Sequence, residues 1–352
     1  MPKVAVVPGD GVGKEVTREA VKALRAVTAG TDLELDLVEW PHGADRYLQT
    51  GEAITDAEFD DLRSNYQAIL LGALGDARVA GNEHARQILL GMRFKLDLYV
   101  NFRPVRLFHE SHTPLRDKTV DDVDMVIFRE NTEGVYVGMG GTFKQGTPDE
   151  VAIQEDVNTR KGVERIIRAA FEWARANGKT RVTMSDKSNA MEFAGGLWRR
   201  VFKLVSAEYP EIESEALYVD MLAMDMVRRP ERYQVIVTGN LFGDILSDLG
   251  AQLAGGLGLS PSGNIHPGRI GLFEPVHGSA PDLAGRDLAN PFAAILTSGL
   301  MLEHLGRPDL GKRLEHAVRD CIIAGETTAD LGGTLGTVAA GDAVARRLAA
   351  GS

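Results

Sequence analysis

The most informative stretch of the sequence is Asn240-Leu241-Phe242-Gly243-Asp244-Ile245-Leu246-Ser247-Asp248, which follows the apolar segment Val235-Ile236-Val237. Leu241, Ile245 and Leu249 fall four residues apart, so a helix is predicted to start soon after a strand. The same spacing places Asp244 and Asp248 on one helix face. The pair is either a solvated acidic surface or part of a site where a divalent cation removes the repulsion between the carboxylates.

Strand-like and helical segments alternate along most of the chain. The predicted strands are Val4–Val7, Leu33–Val38, Ala68–Leu71, Val123–Phe128, Val182–Ser185 and Gln234–Thr238. The predicted helices are Lys14–Val27, Ala57–Ser64, Glu83–Lys95, Arg160–Ala176, Ala190–Ala207, Leu241–Leu253, Pro291–Leu305 and Gly311–Ile323. This alternation predicts an α/β fold with a largely parallel sheet. The Gly-rich segment near residues 138–155 lacks a helical period and is predicted to form a hairpin arm.

The composition narrows the possible environments and partners of the chain. Its 352 residues suffice for two domains, and no apolar run approaches the roughly 20 residues that span a bilayer. The formal net charge of -11 argues against nucleic acid as a partner. The single cysteine, Cys321, and a start at Met1–Val4 without signal-peptide features predict a cytoplasmic protein.

Three arginines are candidates for binding an anionic substrate. Arg129 follows the predicted strand at residues 123–128, Arg103 precedes a proline that favours extended backbone, and Arg93 lies in a predicted helix. The ends of parallel strands are where ligand clefts form. Each arginine alone is compatible with an ordinary surface position, but together three guanidiniums are able to clamp a dicarboxylate through bidentate contacts.

Lys187, Tyr136 and Asp220 are candidates for acid–base chemistry. Lys187 follows the predicted strand Val182–Ser185, and Asp220 ends the strand-like run Ala216–Val219. A lysine, a tyrosine and a carboxylate after strand ends fit a general acid–base site, provided that the fold brings them together.

Two glycine-containing segments are candidates for contacting a nucleotide. Gly9–Lys14 has Lys14 where a dinucleotide fingerprint has its third glycine, so a tight strand-to-helix turn is predicted there. The loop Glu274–Asp282 is rich in Gly, Pro and Ser and is predicted to surround a polar ligand. Asp282 suits the two hydroxyls of a ribose and would repel a 2′-phosphate.

These segments, in this order, closely resemble the β-decarboxylating dehydrogenases, the family of isopropylmalate, isocitrate, homoisocitrate and tartrate/D-malate dehydrogenases. The resemblance runs from Val4–Gly11 to Asp330–Gly333 and is densest over Thr238–Asp248 and Phe273–Asn290. It implies a two-domain, isocitrate/isopropylmalate dehydrogenase-like α/β fold without Rossmann topology.

The resemblance also implies how the chain is divided and assembled. Residues 1–102 plus 256–352 would form the cofactor-side domain, and residues 103–255 the substrate and dimerisation domain with its arm. The protein would be a homodimer with shared active sites, acting on a small 2-hydroxy dicarboxylate. Lys187 and Asp220 would reach each site from the partner subunit.

The resemblance assigns a role to each candidate residue. Asp220, Asp244 and Asp248 match the ligands of Mg²⁺ or Mn²⁺, and Tyr136, Lys187 and Asp220 match the catalytic acid–base residues. Arg93, Arg103 and Arg129 match the arginines that bind the substrate, with Asp220 and the apolar Leu89 and Leu90 as further substrate contacts. The loop that binds the cofactor matches at Gly278, Ser279, Ala280, Pro281, Asp282, Leu283, Ala284 and Asn290, where Asp282 resembles the members that use NAD.

The helix at residues 83–95 is expected to face the C3 substituent of the substrate. Isocitrate-type members carry Ser and Asn where this chain has Gln87 and Leu89, and homoisocitrate-type members carry an arginine in place of Leu90. The Leu89–Leu90 pair cannot compensate a buried carboxylate but can bury an isopropyl group, worth roughly 0.8 kcal/mol per carbon. We therefore predict NAD-dependent oxidative decarboxylation of 3-isopropylmalate in leucine biosynthesis.

Two alternatives stay open at this stage. D-malate/tartrate dehydrogenases carry a similar leucine pair and resemble this chain at Arg129–Gly134, and Arg86 stands where many isopropylmalate enzymes have a glutamate. Phe193–Trp198, in contrast, resembles a subgroup of isopropylmalate enzymes. A non-catalytic nucleotide-binding relative would be expected to have lost metal ligands or the Lys/Tyr pair, and this chain keeps both.

Overall fold

The structure is a computed structural model that describes residues 1–350, and they form two compact units. The first unit contains Met1–Leu98, Arg106–Val120 and the chain from Ala251 onward. The second contains Tyr99–Val105 and Asp121–Gly250. The two ends of the chain therefore share one unit, and its middle forms the other.

Strands and helices alternate in both units. The strands are β1 (Lys3–Gly9), β2 (Asp36–Glu39), β3 (Ala68–Ala73), β4 (Val100–Arg106), β5 (Asp124–Glu130), β6 (Gly140–Phe143), β7 (Val151–Gln154), β8 (Arg181–Asp186), β9 (Glu213–Tyr218), β10 (Val235–Thr238), β11 (Pro261–Ile265) and β12 (Gly271–Pro275). The helices are α1 (Gly13–Thr28), α2 (Ala44–Thr50), α3 (Asp56–Asn65), α4 (Glu83–Lys95), α5 (Arg160–Ala176), α6 (Glu192–Ser206), α7 (Val219–Arg228), α8 (Asn240–Leu253), α9 (Phe292–His304), α10 (Pro308–Ile323) and α11 (Thr337–Ala350).

The sheet of the first unit is buried on both faces. Its strands lie in the order β2-β1-β3-β12-β11, and only the pair β11–β12 among those with a recorded register is antiparallel. Val4 and Val6 of β1 pack into one apolar cluster, whereas Ala5 and Val7 pack into another. Successive side chains of a strand point to opposite faces, so a strand apolar at every position requires helices on both sides. Helices α1, α9, α10 and α11 supply one cluster, and α3 and α4 the other.

In the second unit the strand order is β4-β5-β10-β8-β9. Strands β5, β10, β8 and β9 are parallel to one another. Thr238 at the end of β10 lies beside Arg129 of β5 and Ser185 of β8, so these strands end at the same edge. The predicted α/β class with a largely parallel, mixed sheet is confirmed.

Three further observations bear on the sequence predictions. Strands β6 and β7 form an antiparallel hairpin whose residues, including Phe143 and Ile153, are exposed. Cys321 is buried, and burial raises the pKa of its thiol to about 11. No helix within residues 1–350 is long and apolar enough to cross a membrane.

Several predicted element bounds were wrong, among them the start of α10, which is Pro308 and not Gly311. The strand predicted at Leu33–Val38 is observed only at Asp36–Glu39, because Leu33 packs against the apolar core from a segment without strand pairing. The strand-like run predicted to end at Val219 ends at Tyr218, and Val219 already begins α7. Asp220 therefore lies in the first turn of a helix.

Candidate active site

The second unit gathers most of the candidate residues at one edge of its sheet. Arg129 lies near the end of β5, and the helix that carries Asp244 follows the end of β10. Lys187 follows β8, and Asp220 comes just after β9. Neighbouring strands are about 4.8 Å apart, so side chains that follow their carboxyl ends converge.

Asp244 is the residue that the others reach. Tyr136, from the 3₁₀ helix Val135–Val137, donates its hydroxyl proton to Asp244 Oδ2 at 2.8 Å. Arg129 Nη1 donates to Asp244 Oδ1, and Arg103 Nη1 lies 3.4 Å from the same oxygen. One carboxylate thus meets a tyrosine and two guanidiniums.

Arg129 and Arg103 each bond to a further side chain besides contacting Asp244. Arg129 is 1% exposed and donates from Nε to Asn240 Oδ1 at 2.9 Å. Its aliphatic part crosses Gly243, where an added Cβ would lie 2.6 Å from the Cβ of Arg129, so the glycine is required. Arg103 Nη1 donates to Ser247 Oγ at 2.6 Å. Bonds of this kind fix a planar guanidinium in one orientation.

The carboxylates on α8 fit a divalent cation. Partial burial and the negative charge of Asp244 raise the pKa of Asp248, although the positive charge of Arg103 opposes them. Arg103 Nη1 lies 3.6 Å from Asp248 Oδ1, so this arginine contacts both acids of the helix face. Hard carboxylate oxygens one helical turn apart suit Mg²⁺ or Mn²⁺. Within residues 1–350 of a single chain, however, no three His, Cys, Asp or Glu side chains form a metal-holding group.

Lys187 and Asp220 form a separate pair. Lys187 Nζ lies 2.8 Å from Asp220 Oδ1, and this contact holds the pKa of Asp220 below its ordinary value. The turn before Lys187 is fixed by Asp186, which accepts bonds from Arg199 Nε at 2.8 Å and Nη2 at 2.9 Å. The lysine is therefore presented next to a carboxylate from a firmly held turn.

The remaining substrate candidates lie on α4 of the first unit. Leu89 and Leu90 are half-buried, and Leu89 packs against the apolar cluster around Ile88. Arg93 is buried and donates to Glu274 Oε1 at 3.0 Å, while Asn264 donates to the same oxygen at 2.9 Å. A buried arginine needs such a partner.

The candidate cofactor loop, Gly278–Asn290, also belongs to the first unit. Ser279 O accepts a bond from Val12 N at 2.8 Å, which ties the loop to the turn after β1. Ala280 has a φ of 37°, a backbone conformation that residues other than glycine rarely adopt. Asn290 donates to Asp330 Oδ2 at 2.9 Å. The loop is thus held at several points and strained at one, which is common in ligand-binding segments.

The residues of this loop fit a nucleotide cofactor. Pro281, Asp282 and Leu283 are exposed, so they present a carboxylate beside an apolar surface. His277 precedes them, and its Nε2 is buried without a hydrogen-bond partner within residues 1–350. Burial lowers the pKa of His277. An orphaned polar atom at the base of a strained loop is a feature that a bound ligand would satisfy.

Several supporting residues were not identified from the sequence. Asn240 and Ser247 fix the two arginines of the second unit, and Glu274 fixes Arg93. Glu274 could have been identified from the sequence, because a carboxylate buried in an apolar strand needs a positively charged partner. Asn240 and Ser247 lie within the opening helix motif, but only the fold shows which arginines they meet.

Comparisons with known proteins show the family to which the chain belongs. A family model described as isocitrate/isopropylmalate dehydrogenase matches residues 3–344. The chain is similar to the 3-isopropylmalate dehydrogenase of Thermobifida fusca, with 48% identity over 99% of this chain and 98% of that protein. It is also similar to the 3-isopropylmalate dehydrogenase of Leifsonia xyli, with 49% identity over 92% of this chain and 91% of that protein. Among solved structures, isocitrate dehydrogenase from Methylococcus capsulatus has a TM-score of 0.89 and 39% identity, covering 99% of this chain and all of that one.

Proposed function

The chain belongs to the isocitrate/isopropylmalate dehydrogenase family, and we propose that it oxidatively decarboxylates 3-isopropylmalate to 4-methyl-2-oxopentanoate and CO₂ in leucine biosynthesis. The proposal includes NAD⁺ as oxidant, Mg²⁺ or Mn²⁺ as cofactor and a cytoplasmic location. The observation that carries it is the meeting of Tyr136, Arg103 and Arg129 at Asp244, one helical turn from Asp248. Such a site combines a proton donor, anion-binding groups and hard oxygen ligands.

Residues described above would hold the divalent cation and NAD⁺. Asp244 and Asp248, with Asp220, would hold the divalent cation, and the loop Gly278–Asn290 would hold NAD⁺. When bound, NAD⁺ accepts a hydride, and the cation acts as a Lewis acid toward oxygen.

The side chains of this chain would supply binding and proton transfer. Arg103 and Arg129 bind the substrate carboxylates, because planar guanidiniums form paired bonds with them. Lys187 accepts the proton of the C2 hydroxyl, and Asp220 at 2.8 Å stabilises the resulting ammonium. Tyr136 donates a proton to C3 after CO₂ has left, from a hydroxyl that Asp244 already orients.

A homodimer is part of the proposal, and two apolar helix faces support it. Met221, Met224 and Val227 on α7 and Leu241 and Ile245 on α8 are large apolar side chains that are at least 40% exposed. Large apolar side chains that are this exposed on a helix face often mark an interface. Because Asp220 lies in the first turn of α7, a dimer through these faces would bring the Lys187–Asp220 pair toward a second copy. This would supply the third carboxylate that one chain alone does not place beside Asp244 and Asp248.

The substrate choice rests on Leu89 and Leu90. Both are half-buried on α4, and neither is able to compensate the third carboxylate of isocitrate. The similar curated proteins are named 3-isopropylmalate dehydrogenase, whereas the similar solved structure is named isocitrate dehydrogenase. D-malate or tartrate is the second candidate, since neither carries a third carboxylate.

The test is NADH formation with Mn²⁺ across five substrates: 3-isopropylmalate, D-malate, tartrate, isocitrate and homoisocitrate. We expect the highest kcat/KM with 3-isopropylmalate, no activity after removal of the metal and weak activity with NADP⁺. A preference for D-malate would overturn the substrate choice. Failure to reduce NAD⁺ with any of the five would overturn the enzyme proposal.

A further inference from the structure

The turn that follows β1 contains a buried carboxylate with no part in the reaction described above. Asp10 is 3% exposed. Its Oδ1 accepts a bond from Ala44 N at 2.7 Å, and its Oδ2 accepts bonds from Gly75 N at 2.9 Å and from His84 Nε2 at 2.8 Å. These three donors come from three separate chain segments. A buried carboxylate with that many donors is tightly localised.

One of those donors belongs to the helix expected to face the substrate. His84 is fully buried and lies in the first turn of α4, which carries Leu89, Leu90 and Arg93 further along. The bond to Asp10 therefore fixes the start of α4 relative to the turn after β1. Gly75 fixes the segment that leads into the same helix.

The backbone of the same turn contacts the candidate cofactor loop. Val12 N donates to Ser279 O at 2.8 Å, two residues beyond Asp10. Gly11 lies against the same carbonyl, because an added Cβ there would lie 2.1 Å from Ser279 O. The turn of residues 9–13 is thus bonded to α4 through the Asp10 side chain and to the loop through the Val12 amide.

We propose that Asp10 is a positioning residue that holds the substrate-facing helix α4 and the cofactor loop in a fixed register. The inference rests on the proposed function, since it assumes that both elements contact the reactants. Hydride transfer requires reacting atoms about 3 to 3.5 Å apart, and a displacement of about 1 Å costs about a hundredfold in rate. The Asp10 carboxylate bonds to α4, and the backbone of the same turn bonds to the loop through Val12, so fixing this turn limits such a displacement.

Asp10→Asn tests the inference because it preserves size and removes acceptors. The single amide oxygen cannot accept from Ala44 N, Gly75 N and His84 Nε2 together, and the new NH₂ group faces other donors. We expect the KM values for NAD⁺ and for the hydroxy acid each to rise about tenfold, with kcat lowered about tenfold. Simple destabilisation would instead reduce the active fraction and leave both KM values unchanged.

The control is Glu19→Gln. Glu19 is also a buried carboxylate of the first unit, but it bonds to Lys22 on α1. We expect its KM values within about twofold of those of the unchanged protein, because Lys22 contacts neither α4 nor the loop.

A second readout does not depend on activity. Hydrogen exchange of the Val12 amide reports directly on its bond to Ser279. In Asp10→Asn we expect faster exchange at Ala44, Gly75 and Val12, and in Glu19→Gln no change at these amides. Faster exchange at Gly75 with unchanged Val12 exchange and unchanged KM values would overturn the inference.

Variants of His84 test the same bond if Asp10→Asn does not fold. His84→Gln retains a donor near Asp10, whereas His84→Leu removes it, so the defects should appear in the leucine variant and be largely absent from the glutamine variant. Equal behaviour of the two would contradict the inference. The unchanged protein is assayed first. If it does not reduce NAD⁺, the proposed function fails, and this outcome is distinct from a failure of the inference about Asp10.

Discussion

Asp244 connects more of the candidate site than any other side chain. Its two oxygens meet Tyr136 and Arg129, and Arg103 lies 3.4 Å away. Asp248, one turn further along α8, has a raised pKa because of partial burial and the charge of Asp244. A cation bound between the two acids would remove this repulsion.

Asp244→Asn is expected to abolish metal-dependent turnover. The amide keeps the shape of the side chain but removes the charge that a divalent cation requires. The protein should also lose its rise in Tm on addition of Mn²⁺, while its Kd for NADH, measured by fluorescence, stays within about twofold. A retained Mn²⁺-induced rise in Tm would show that Asp244 does not bind the metal.

Lys187→Ala and Tyr136→Phe are expected to lower kcat far more than they change KM. Each removes one proton-transfer group, and such groups contribute about a hundredfold to ten-thousandfold in rate. Steady-state kinetics with 3-isopropylmalate measures the effect, and Tyr209→Phe, a buried tyrosine packed on Phe171, serves as a control. Near-normal turnover in either variant would rule out its assigned role.

At the scale of elements, the sequence predicted amphipathic helices best. Helices α4 and α5 have the predicted bounds. The spacing of apolar residues and the residues at the helix ends are local signals, so each helix is predictable from its own segment. Helix α7 was missed because apolar residues occupy exposed positions, such as Met224, as well as buried ones, such as Leu222, which obscures the helical period. Strands β11 and β12 were missed because their glycines and prolines favour turns unless neighbouring strands cover them.

Helix α3 begins with a capping box that gives a prediction about pH. Thr55 and Glu58 bond to each other's backbone amides, and Arg46 donates to Glu58 as well. Burial would raise the pKa of Glu58, but the bonds from Arg46 and Thr55 and the charge of His42 outweigh it and lower the pKa to about 2. Ionised Glu58 therefore stabilises the folded protein above its unfolded pKa of about 4.3.

Glu58→Gln is expected to lower the free energy of unfolding at neutral pH by about 1 to 2 kcal/mol. Glutamine still caps the helix, so the loss isolates the charge of Glu58. The difference from the unchanged protein should shrink as pH falls from about 4.3 through 2, where Glu58 becomes protonated. Urea unfolding across this range measures it, with the exposed Glu52→Gln as control; a difference independent of pH would contradict the assignment.

At the scale of the whole molecule, the apolar faces of α7 and α8 predict assembly. Met224 is 64% exposed and Ile245 57% exposed in the single chain. Met224→Asp should therefore fold as a monomer, because the side chain packs on little of its own chain but would place a charge in the dimer interface. Light scattering and turnover measure this, and both should be unchanged in Leu48→Asp, an exposed site of the first unit. A Met224→Asp protein that is still an active dimer would place the interface elsewhere.

The candidate site could be predicted only in part from the sequence. Residue types, their order and the resemblance identified the acids, arginines, lysine and tyrosine. Their convergence depends on the order β5-β10-β8-β9, which pairs strands that are distant in the sequence and leaves no local pattern; Tyr136 and Asp244, for example, are 108 residues apart. The bonds of Asn240 and Ser247 to the arginines, and the part played by Asp10, follow from that three-dimensional arrangement.

Subunit complementation tests the central claim of a metal-dependent site shared between two copies. Heterodimers of Lys187→Ala and Asp244→Asn chains, purified by two different tags, combine an intact Lys187–Asp220 pair from one chain with intact Asp244 and Asp248 from the other. One of the two sites is then complete, so we predict about half of the wild-type kcat for 3-isopropylmalate, although both parental homodimers are inactive. Heterodimers as inactive as the parents would show that each chain builds its site alone, and would contradict the claim.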